Sequence, residues 1–190
     1  MTGPQGRSTR ADAIRNRVNI LDAARREITE HGPGVGMDQI AGAAGVAVGT
    51  LYRHFPTKTD LVAAVVSAYM KEVADRTELA ARRVDEGGPA YVELSGLFRE
   101  IVTAAASNHA VKVAAITLNA NVDDSVDMKR AGRALHSLVK AAKVEGSVRD
   151  DLSINDFYLL VSNAPTRETA DVLNRWIDLT LFGIAGPPSR

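Results

Sequence analysis

Residues 37–61 read MDQIAGAAGVAVGTLYRHFPTKTDL, and this stretch decides the fold. A short apolar segment leads to Gly45-Val46, a second short segment ends in Tyr-Arg-His-Phe, and Pro56 precedes a longer helical pattern. Gly45 suits a tight turn because glycine adopts a left-handed backbone conformation at almost no cost. This order predicts two short helices, residues 37–44 and 48–54, joined as a helix-turn-helix whose second helix enters the major groove of DNA.

The same stretch resembles the TetR family of bacterial transcriptional regulators. The match covers about residues 14 to 62, and the rest of the chain agrees with the family in length and helical character. The resemblance implies an all-α homodimer that binds operator DNA and is usually released from it by a small ligand. The positions that carry the resemblance are Ile40-Ala41, Ala44-Gly45-Val46, Gly49-Thr50-Leu51-Tyr52, His54-Phe55, Lys58 and Leu61.

Hydrophobic periodicity and helix-breaking residues predict an all-α chain of about nine helices. We expect a disordered arm at residues 1–10 and an N-terminal three-helix head at residues 11–58 that contains the helix-turn-helix and binds DNA. A larger helical domain for ligand binding and dimerisation is expected at residues 59–190. In the first helix, Ile14, Val18, Leu21 and Ile28 are expected to share one face of an amphipathic helix.

Composition limits the classes of function. The chain has 190 residues and no cysteine, which excludes disulfides and thiolate metal sites. No segment approaches the ~18 apolar residues of a membrane span, and the N-terminus lacks the apolar core of a signal peptide. We therefore expect a cytoplasmic protein with no membrane partner. The four histidines are scattered and no catalytic or phosphate-loop motif is present, so we expect no enzyme activity, no cofactor and no metal.

Charge is distributed unevenly along the chain. The formal net charge is zero, yet residues 1–26 contain six arginines and only two aspartates. A basic end on a neutral body is the expected electrostatic footprint of a small DNA-binding head. A charge cluster alone is more often a solvated helix face, and the adjacent helix-turn-helix is what favours DNA here.

Positions within the second helix of the motif suggest how it would contact DNA. Gly49 and Thr50 have short side chains that let the backbone approach the groove, and Thr50 can contact a base edge or a thymine methyl. Arg53 is expected to read a base, because arginine binds guanine at two acceptors. The resemblance assigns phosphate contacts to Tyr52 and His54, for which ordinary surface packing is the alternative.

Further contacts are expected beside that helix. Lys58 could hold a phosphate together with the amides at the start of the next helix. Gln39 borders the first helix of the motif. Gly36, Ala47 and Val48 stand where the family commonly has Thr or Ser, Ser, and Lys. The lost hydroxyls predict fewer direct contacts to the phosphate backbone of DNA.

The last two helices, predicted at residues 154–163 and 167–183, carry a broader apolar stripe than one internal core needs. The resemblance pairs them with their copies in a second subunit as a four-helix bundle, and interfaces favour Trp and Phe. The alternative is that the stripe is the core of a single subunit. The residues expected at the dimer interface are Phe157, Leu160, Val161, Val172, Leu173, Trp176, Leu179 and Thr180.

Polar groups among the apolar faces of the larger domain mark a candidate site for an unidentified small-molecule effector, because such sites combine apolar walls with a few polar groups. The alternative for each histidine is an ordinary surface or core residue. The candidates are Tyr69, Phe98, Val102, His109, Ile116, Asn119, Met128 and His136.

These features favour a sequence-specific repressor that a small ligand releases from operator DNA. An activator of the same family is an alternative that differs only in where the operator lies. A small-molecule carrier is a third interpretation, but a carrier has no need of the helix-turn-helix head.

Overall fold

The structure is a computed structural model that describes residues 5–122 and 125–186, with side chains from residue 11 onward except that of Ser125. These residues confirm the predicted all-α fold, since they form nine helices and no strand beyond an isolated bridge. No helix among them is both long and apolar enough to cross a membrane. In chain order the helices are α1 Gln5–His31, α2 Met37–Ala43, α3 Val48–His54, α4 Lys58–Asp85, α5 Ala90–Ser107, α6 His109–Thr117, α7 Ser125–Val144, α8 Ile154–Ser162 and α9 Ala170–Ile184.

Helices α2 and α3 form the predicted helix-turn-helix, with bounds within one residue of those expected. Gly45 ends α2 in a left-handed conformation, with φ of 68°. The Val46 amide donates to the Ala41 carbonyl at 3.0 Å, and the Gly45 amide donates to the Gly42 carbonyl at 3.1 Å. This pair of bonds is a Schellman motif, which satisfies the last carbonyls of α2 and turns the chain toward α3.

The chain divides into two compact units. The first comprises residues 1–68 and 108–122, so α6 joins α1, α2, α3 and the start of α4. The sequence placed the head at residues 11–58, and α6 extends it because Val111 and Ala114 are buried in its core. The other buried members of this core are Ile20, Ala23, Ala24, Ile28, Val35, Met37, Ile40, Ala41, Ala44, Leu51, Phe55, Leu61, Val62 and Val65.

Helix α1 is longer than the sequence suggested. It begins at Gln5, so residues 5–10 are helical where a disordered arm was expected, while residues 1–4 lie outside the described residues. No glycine or proline after Gly6 interrupts this extension. On the predicted apolar face of α1, Ile14 and Val18 are 60% and 50% exposed, and the first core residue of the helix is Ile20.

The second unit comprises residues 69–107 and 123–190. At its centre the Phe98 ring meets Phe157 edge-on at 5.3 Å and stacks on Trp176 at 6.0 Å, both between ring centroids. Such aromatic pairs add ~1 kcal/mol each beyond the burial of their area. The amide of Arg149 donates to the Ile184 carbonyl at 3.1 Å, which joins the loop after α7 to the end of α9.

Side chains define where α8 and α9 begin. Ser153 caps α8, since its hydroxyl accepts from the Asp156 amide and the Asp156 carboxylate accepts from the Ser153 amide. Thr169 caps α9 by accepting from the Val172 amide. The helix therefore begins at Ala170, three residues later than predicted, because Thr169 is the residue that can satisfy its first amides.

An ionic cluster joins α4 to α7 within the second unit. The Arg130 guanidinium lies 2.7 Å from Asp75, 2.8 Å from Glu78 and 2.6 Å from Asp127. Hydrogen bonds to these carboxylates raise the pKa of Arg130, and the bond from Arg130 is the main cause that lowers the pKa of Glu78. Arg130 keeps these ion pairs only while the three carboxylates are ionised.

Candidate nucleic-acid interface

Helix α3 has one buried anchor and an open outward side within its unit. Leu51 is fully buried, whereas Val48 and Tyr52 are 43% and 47% exposed and Arg53 is also exposed. A Cβ added at Gly49 would meet no atom within 4 Å. Within this unit the side chains of Val48, Tyr52 and Arg53 and the backbone at Gly49 are therefore accessible.

Thr50 and His54 are less accessible than their neighbours on α3. Both are half-buried. The Thr50 amide donates to the Ala47 carbonyl at 2.8 Å, which begins the helix. The Nε2 atom of His54 is buried without a hydrogen-bond partner among the described residues, and its ring lies 6.3 Å from that of Phe55. His54 must therefore turn its ring before this nitrogen can reach a phosphate.

The first residues of α2 and α3 lack side-chain caps. Gly36 and Ala47 are the N-cap residues, both extended in backbone conformation, and neither makes a side-chain hydrogen bond to the helix it precedes. A Ser or Thr at such a position usually stabilises the helix by ~1 kcal/mol relative to Ala. The first amides of α2 and α3 therefore receive no hydrogen bond from an N-cap side chain.

Gln39 and Lys58 are both engaged within the head. The Gln39 amide nitrogen donates to Glu27 at 2.8 Å, which holds α2 against α1. The Lys58 ammonium donates to the carbonyls of Pro33 and Val35, each at 2.5 Å, and burial lowers the pKa of Lys58. Lys58 was expected beside the first amides of α4. Its ammonium instead turns back onto the loop between α1 and α2, so two of its three donors are already used.

The outer faces of α8 and α9 form a second candidate surface. Leu159 on α8 is 62% exposed, and on α9 Val172, Leu179 and Phe182 are 47%, 53% and 83% exposed. The three α9 residues are spaced by seven and by three, so they lie on one side of the helix. An aromatic ring with this exposure, in line with other apolar side chains, is typical of an interaction surface.

Comparison with known proteins agrees with this arrangement. The family model for bacterial regulatory proteins of the tetR family matches residues 20–65, which include the whole helix-turn-helix. A second model, the C-terminal domain of SbtR-like transcriptional regulators, matches residues 92–186. The chain belongs to the TetR family. It is therefore a DNA-binding transcriptional regulator, as the open side of α3 indicates.

Two similar proteins match almost the whole of this TetR-family chain, and a third matches a shorter stretch. A TetR transcription regulatory protein from Mycobacterium vanbaalenii is 30% identical with a TM-score of 0.73, covering 93% of this chain and 99% of its own. The transcriptional repressor KstR of Mycolicibacterium smegmatis is 28% identical over 182 residues, 90% of this chain and 87% of KstR. A Staphylococcus aureus regulator is 45% identical over 53 residues, which are 27% of this chain and 29% of that protein.

Five predicted effector residues of this regulator lie in the second unit, in different surroundings. Phe98 and Val102 are fully buried in the core, whereas Met128 and His136 are exposed on α7. Tyr69 is half-buried, and burial raises the pKa of its hydroxyl. These five residues therefore do not line one cavity of that unit. The helical period of the sequence had not distinguished buried positions from exposed ones.

The other three predicted effector residues lie in the first unit. His109 is half-buried, Ile116 is 68% exposed and Asn119 is exposed with φ of 48°. The described side chains include no cluster of His, Asp or Glu that could hold a metal ion. An open groove of about 500 Å³ in the second unit is lined by residues that the sequence did not suggest: Val84, Asp85, Gly88, Ala90, Ser137, Lys140, Ala141, Val144 and Glu145.

The structure divides the predicted dimer residues between the two sides of the last helices. Phe157 and Leu173 are buried in the core, and Val172 and Leu179 point outward. Half-buried positions are Leu160, Val161, Trp176 and Thr180. The sequence missed the exposed residues Tyr158, Leu159 and Phe182. Phe182 follows Leu179 by three residues, about one helical turn, so extending the apolar side marked by Val172 and Leu179 would have found it.

Proposed function

We propose that this regulator is a repressor that binds operator DNA as a homodimer and leaves it when a small-molecule effector binds. The observation that carries the proposal is the open side of α3, where Tyr52 and Arg53 are exposed while Leu51 anchors the helix in the core. The likeness to KstR, named a transcriptional repressor, supports repression rather than activation.

The exposed side of α3 supports a division of roles in the groove. Arg53 is proposed to grip a guanine at its two major-groove acceptors. Gly49 lets the backbone approach the base edges, and the half-buried Thr50 reaches a base edge or thymine methyl beside it. Val48, an apolar side chain where the family commonly has lysine, suits the same kind of methyl contact. Tyr52 is proposed to bind a phosphate at the edge of the groove.

The residues around α3 have supporting roles in this proposal. Gly36 and Ala47 leave the first amides of α2 and α3 without side-chain partners, so these amides can face the phosphate backbone directly. Gln39 fixes α2 through its bond to Glu27. His54 contributes a phosphate contact only after its ring rotates, so we expect its effect to be smaller than that of Tyr52.

Selection of bound sequences from a random DNA pool tests the DNA-binding part. We expect one enriched motif with two half-sites. The Arg53→Ala variant should lose ~1–3 kcal/mol of discrimination, and the loss should fall on a single base pair of each half-site. Arg133→Ala, which removes an exposed arginine from α7, is the matched control and should keep the motif unchanged. A pool without enrichment, or an unaltered motif for Arg53→Ala, would refute these roles.

The apolar faces of α8 and α9 support a homodimer. Burying Phe182, Leu179, Val172 and Leu159 against their copies would remove from water the most apolar described surface of these two helices. A two-fold dimer also explains the use of one short recognition helix per subunit. Two such helices can then reach half-sites about one turn of DNA, roughly 34 Å, apart.

Analytical ultracentrifugation tests the dimer. Phe182→Glu places a charge within the proposed interface, where an unpaired charge is costly to bury, so the variant should sediment as a monomer. Val144→Glu is the matched control, because Val144 is 84% exposed on α7, which is not one of the two helices of the proposed interface, and its variant should remain dimeric. A monomeric wild-type protein, or a dimeric Phe182→Glu variant, would contradict the proposal.

Release by an effector is supported by the behaviour of the family that this chain belongs to. Because an effector acts only through its different affinities for the bound and free conformations, we expect a coupling of ~1–3 kcal/mol, or roughly 5- to 150-fold in operator affinity. A compound screen for loss of a mobility shift on the selected operator is the measurement. Tyr69 is the half-buried polar group to replace first, and Tyr69→Phe should weaken the response to a ligand that bonds its hydroxyl.

The change in transcription after deletion of the gene distinguishes a repressor from an activator. Deleting the gene for this regulator should raise transcription from promoters that contain the selected operator. A fall in transcription from those promoters would identify an activator and leave the DNA-binding roles intact.

A further inference from the structure

Arg17 on α1 lies against the end of the recognition helix. Its guanidinium carbon is 4.6 Å from the centroid of the Phe55 ring, which is a cation–π contact. Phe55 is 2% exposed and is the C-cap of α3, and its amide donates to the Leu51 carbonyl at 2.8 Å. The Phe55 ring under Arg17 is therefore held by α3 and by the core, while Arg17 itself is exposed.

The contact with Phe55 leaves the N–H groups of Arg17 available to bind an anion. A guanidinium that lies on an aromatic ring still directs its N–H groups outward in its own plane, where they can donate to an anion. No carboxylate among the described side chains pairs with Arg17, whereas Arg15, two residues earlier, is bound to Asp12 at 3.0 Å. An arginine that is already held in place loses less conformational entropy when it binds a phosphate.

The location makes an anion contact useful to the recognition helix. The C-terminal end of a helix presents carbonyl oxygens and a partial negative charge, which disfavours a nearby phosphate. Arg17 places a positive charge over Phe55, the C-cap of α3, whose last turn contains Arg53 and His54. The DNA backbone that borders the groove would otherwise meet the unfavourable end of the helix.

We propose that Arg17 is a DNA-contacting residue of this regulator, donating to a phosphate beside the half-site that α3 reads. The proposal rests on the head being a DNA-binding element, as described above, and it adds a contact outside the helix-turn-helix. Since a phosphate contact carries no base information, Arg17 contributes affinity without altering the preferred sequence.

The test measures operator affinity of the full-length protein at several salt concentrations. Arg17→Gln should make the fall of log affinity with log salt less steep, by about one unit of slope for each phosphate that Arg17 no longer neutralises. Near 0.1 M salt the variant should bind about tenfold more weakly per lost phosphate contact. Arg17→Lys retains the charge and should keep the wild-type slope. Arg15→Gln is the matched control, because Arg15 lies on another side of α1 and is already paired with Asp12.

Two results would overturn the assignment of Arg17. The first is an Arg17→Gln variant with the slope and affinity of the wild type, and the second is an equal decrease of slope in Arg15→Gln. Arg17 is exposed, so Arg17→Gln should keep the wild-type circular dichroism spectrum and thermal midpoint. If the wild-type protein selects no operator at all, the DNA-binding proposal itself fails, and this outcome is distinct from failure of the Arg17 contact.

Discussion

Replacing Lys58 by methionine should loosen the helix-turn-helix without changing the fold of the second unit. The Lys58 ammonium donates to the carbonyls of Pro33 and Val35 at 2.5 Å, and so ties the start of α4 to the loop between α1 and α2. Methionine keeps much of the volume of the side chain but donates no hydrogen bond. The hydrogen bond from Lys58 to Pro33 is exposed, so in the variant the Pro33 carbonyl can accept from water instead. The bond to Val35 is part-buried, so water can replace it only in part.

The size of the effect follows from these two bonds. A hydrogen bond that involves a charged group contributes about 1.5–3 kcal/mol, and because one ammonium is shared and one carbonyl regains water, we expect a net loss of about 2 kcal/mol. The loss corresponds to about 30-fold in the equilibrium for local opening. Amide hydrogen exchange of α2 measures it directly, since the protection of Ile40 and Ala44 should fall by that factor.

A matched variant controls for the loss of a positive charge. Lys112 is an exposed lysine on α6 of the same unit, and Lys112→Met should change the protection of α2 by less than about threefold, within the ±0.5 kcal/mol usual for surface substitutions. Protection of α2 in Lys58→Met that equals the wild-type value would show that the two bonds do not stabilise the head. The salt dependence of operator binding should remain that of the wild type, because the ammonium of Lys58 is committed to the loop.

Two further predictions concern the second unit, and urea unfolding followed by Trp176 fluorescence measures both. Because Arg130 holds the folded-state pKa of Glu78 below its usual 4.5, their bond stabilises the unit above pH 4.5, and this stability is lost as the pH falls through the lowered pKa. Arg130→Met should therefore flatten the decline in stability as the pH falls below 4.5. An unchanged pH dependence would count against the cluster. Ser153→Ala should lower the free energy of unfolding by about 1 kcal/mol through loss of the α8 capping box, while Ser137→Ala, on an exposed part of α7, should not. Equal midpoints for the two serine variants would disprove the capping role.

The helix-turn-helix could be predicted closely from the sequence because its determinants are local. Gly45 must adopt a positive φ, Pro56 follows the second helix, and Leu51 is the one apolar side chain of α3 in phase with the core. Each of these acts within a few residues of the chain. The start of α9 was missed by three residues for a local reason as well, because Thr169 was not identified as its cap.

Burial along α1, α8 and α9 could not be derived from periodicity alone. A helical repeat shows that residues share a side, but it does not show whether a neighbour covers that side. Ile14 and Val18 lie on an uncovered stretch of α1, whereas Ile28 on the same helix is fully buried. In α9 the apolar residues cover a wide part of the helix, so that Leu173 is buried in the core and Leu179 is exposed on another side.

The predicted effector residues show a further limit of the same kind. A binding site is defined by distances between side chains from different helices, and these depend on tertiary packing. The sequence treated Phe98 as a wall of the site, yet its ring is closed between Phe157 and Trp176 in the core. It also counted His136, which is exposed on α7. The groove that the structure does contain is lined mainly by small or charged residues, which no period in the sequence distinguishes.

Missing hydroxyl caps and the placement of Arg17 together suggest how this regulator balances its contacts with DNA. Gly36 and Ala47 provide no side-chain hydroxyl at the start of α2 and α3, so at these two positions a phosphate could be bound only by backbone amides. Arg17 adds a fixed positive charge at the opposite end of α3. Contacts made by charge depend more steeply on salt than contacts made by neutral hydroxyls. A head with this distribution should therefore keep its sequence preference through Arg53 while its affinity varies strongly with ionic strength.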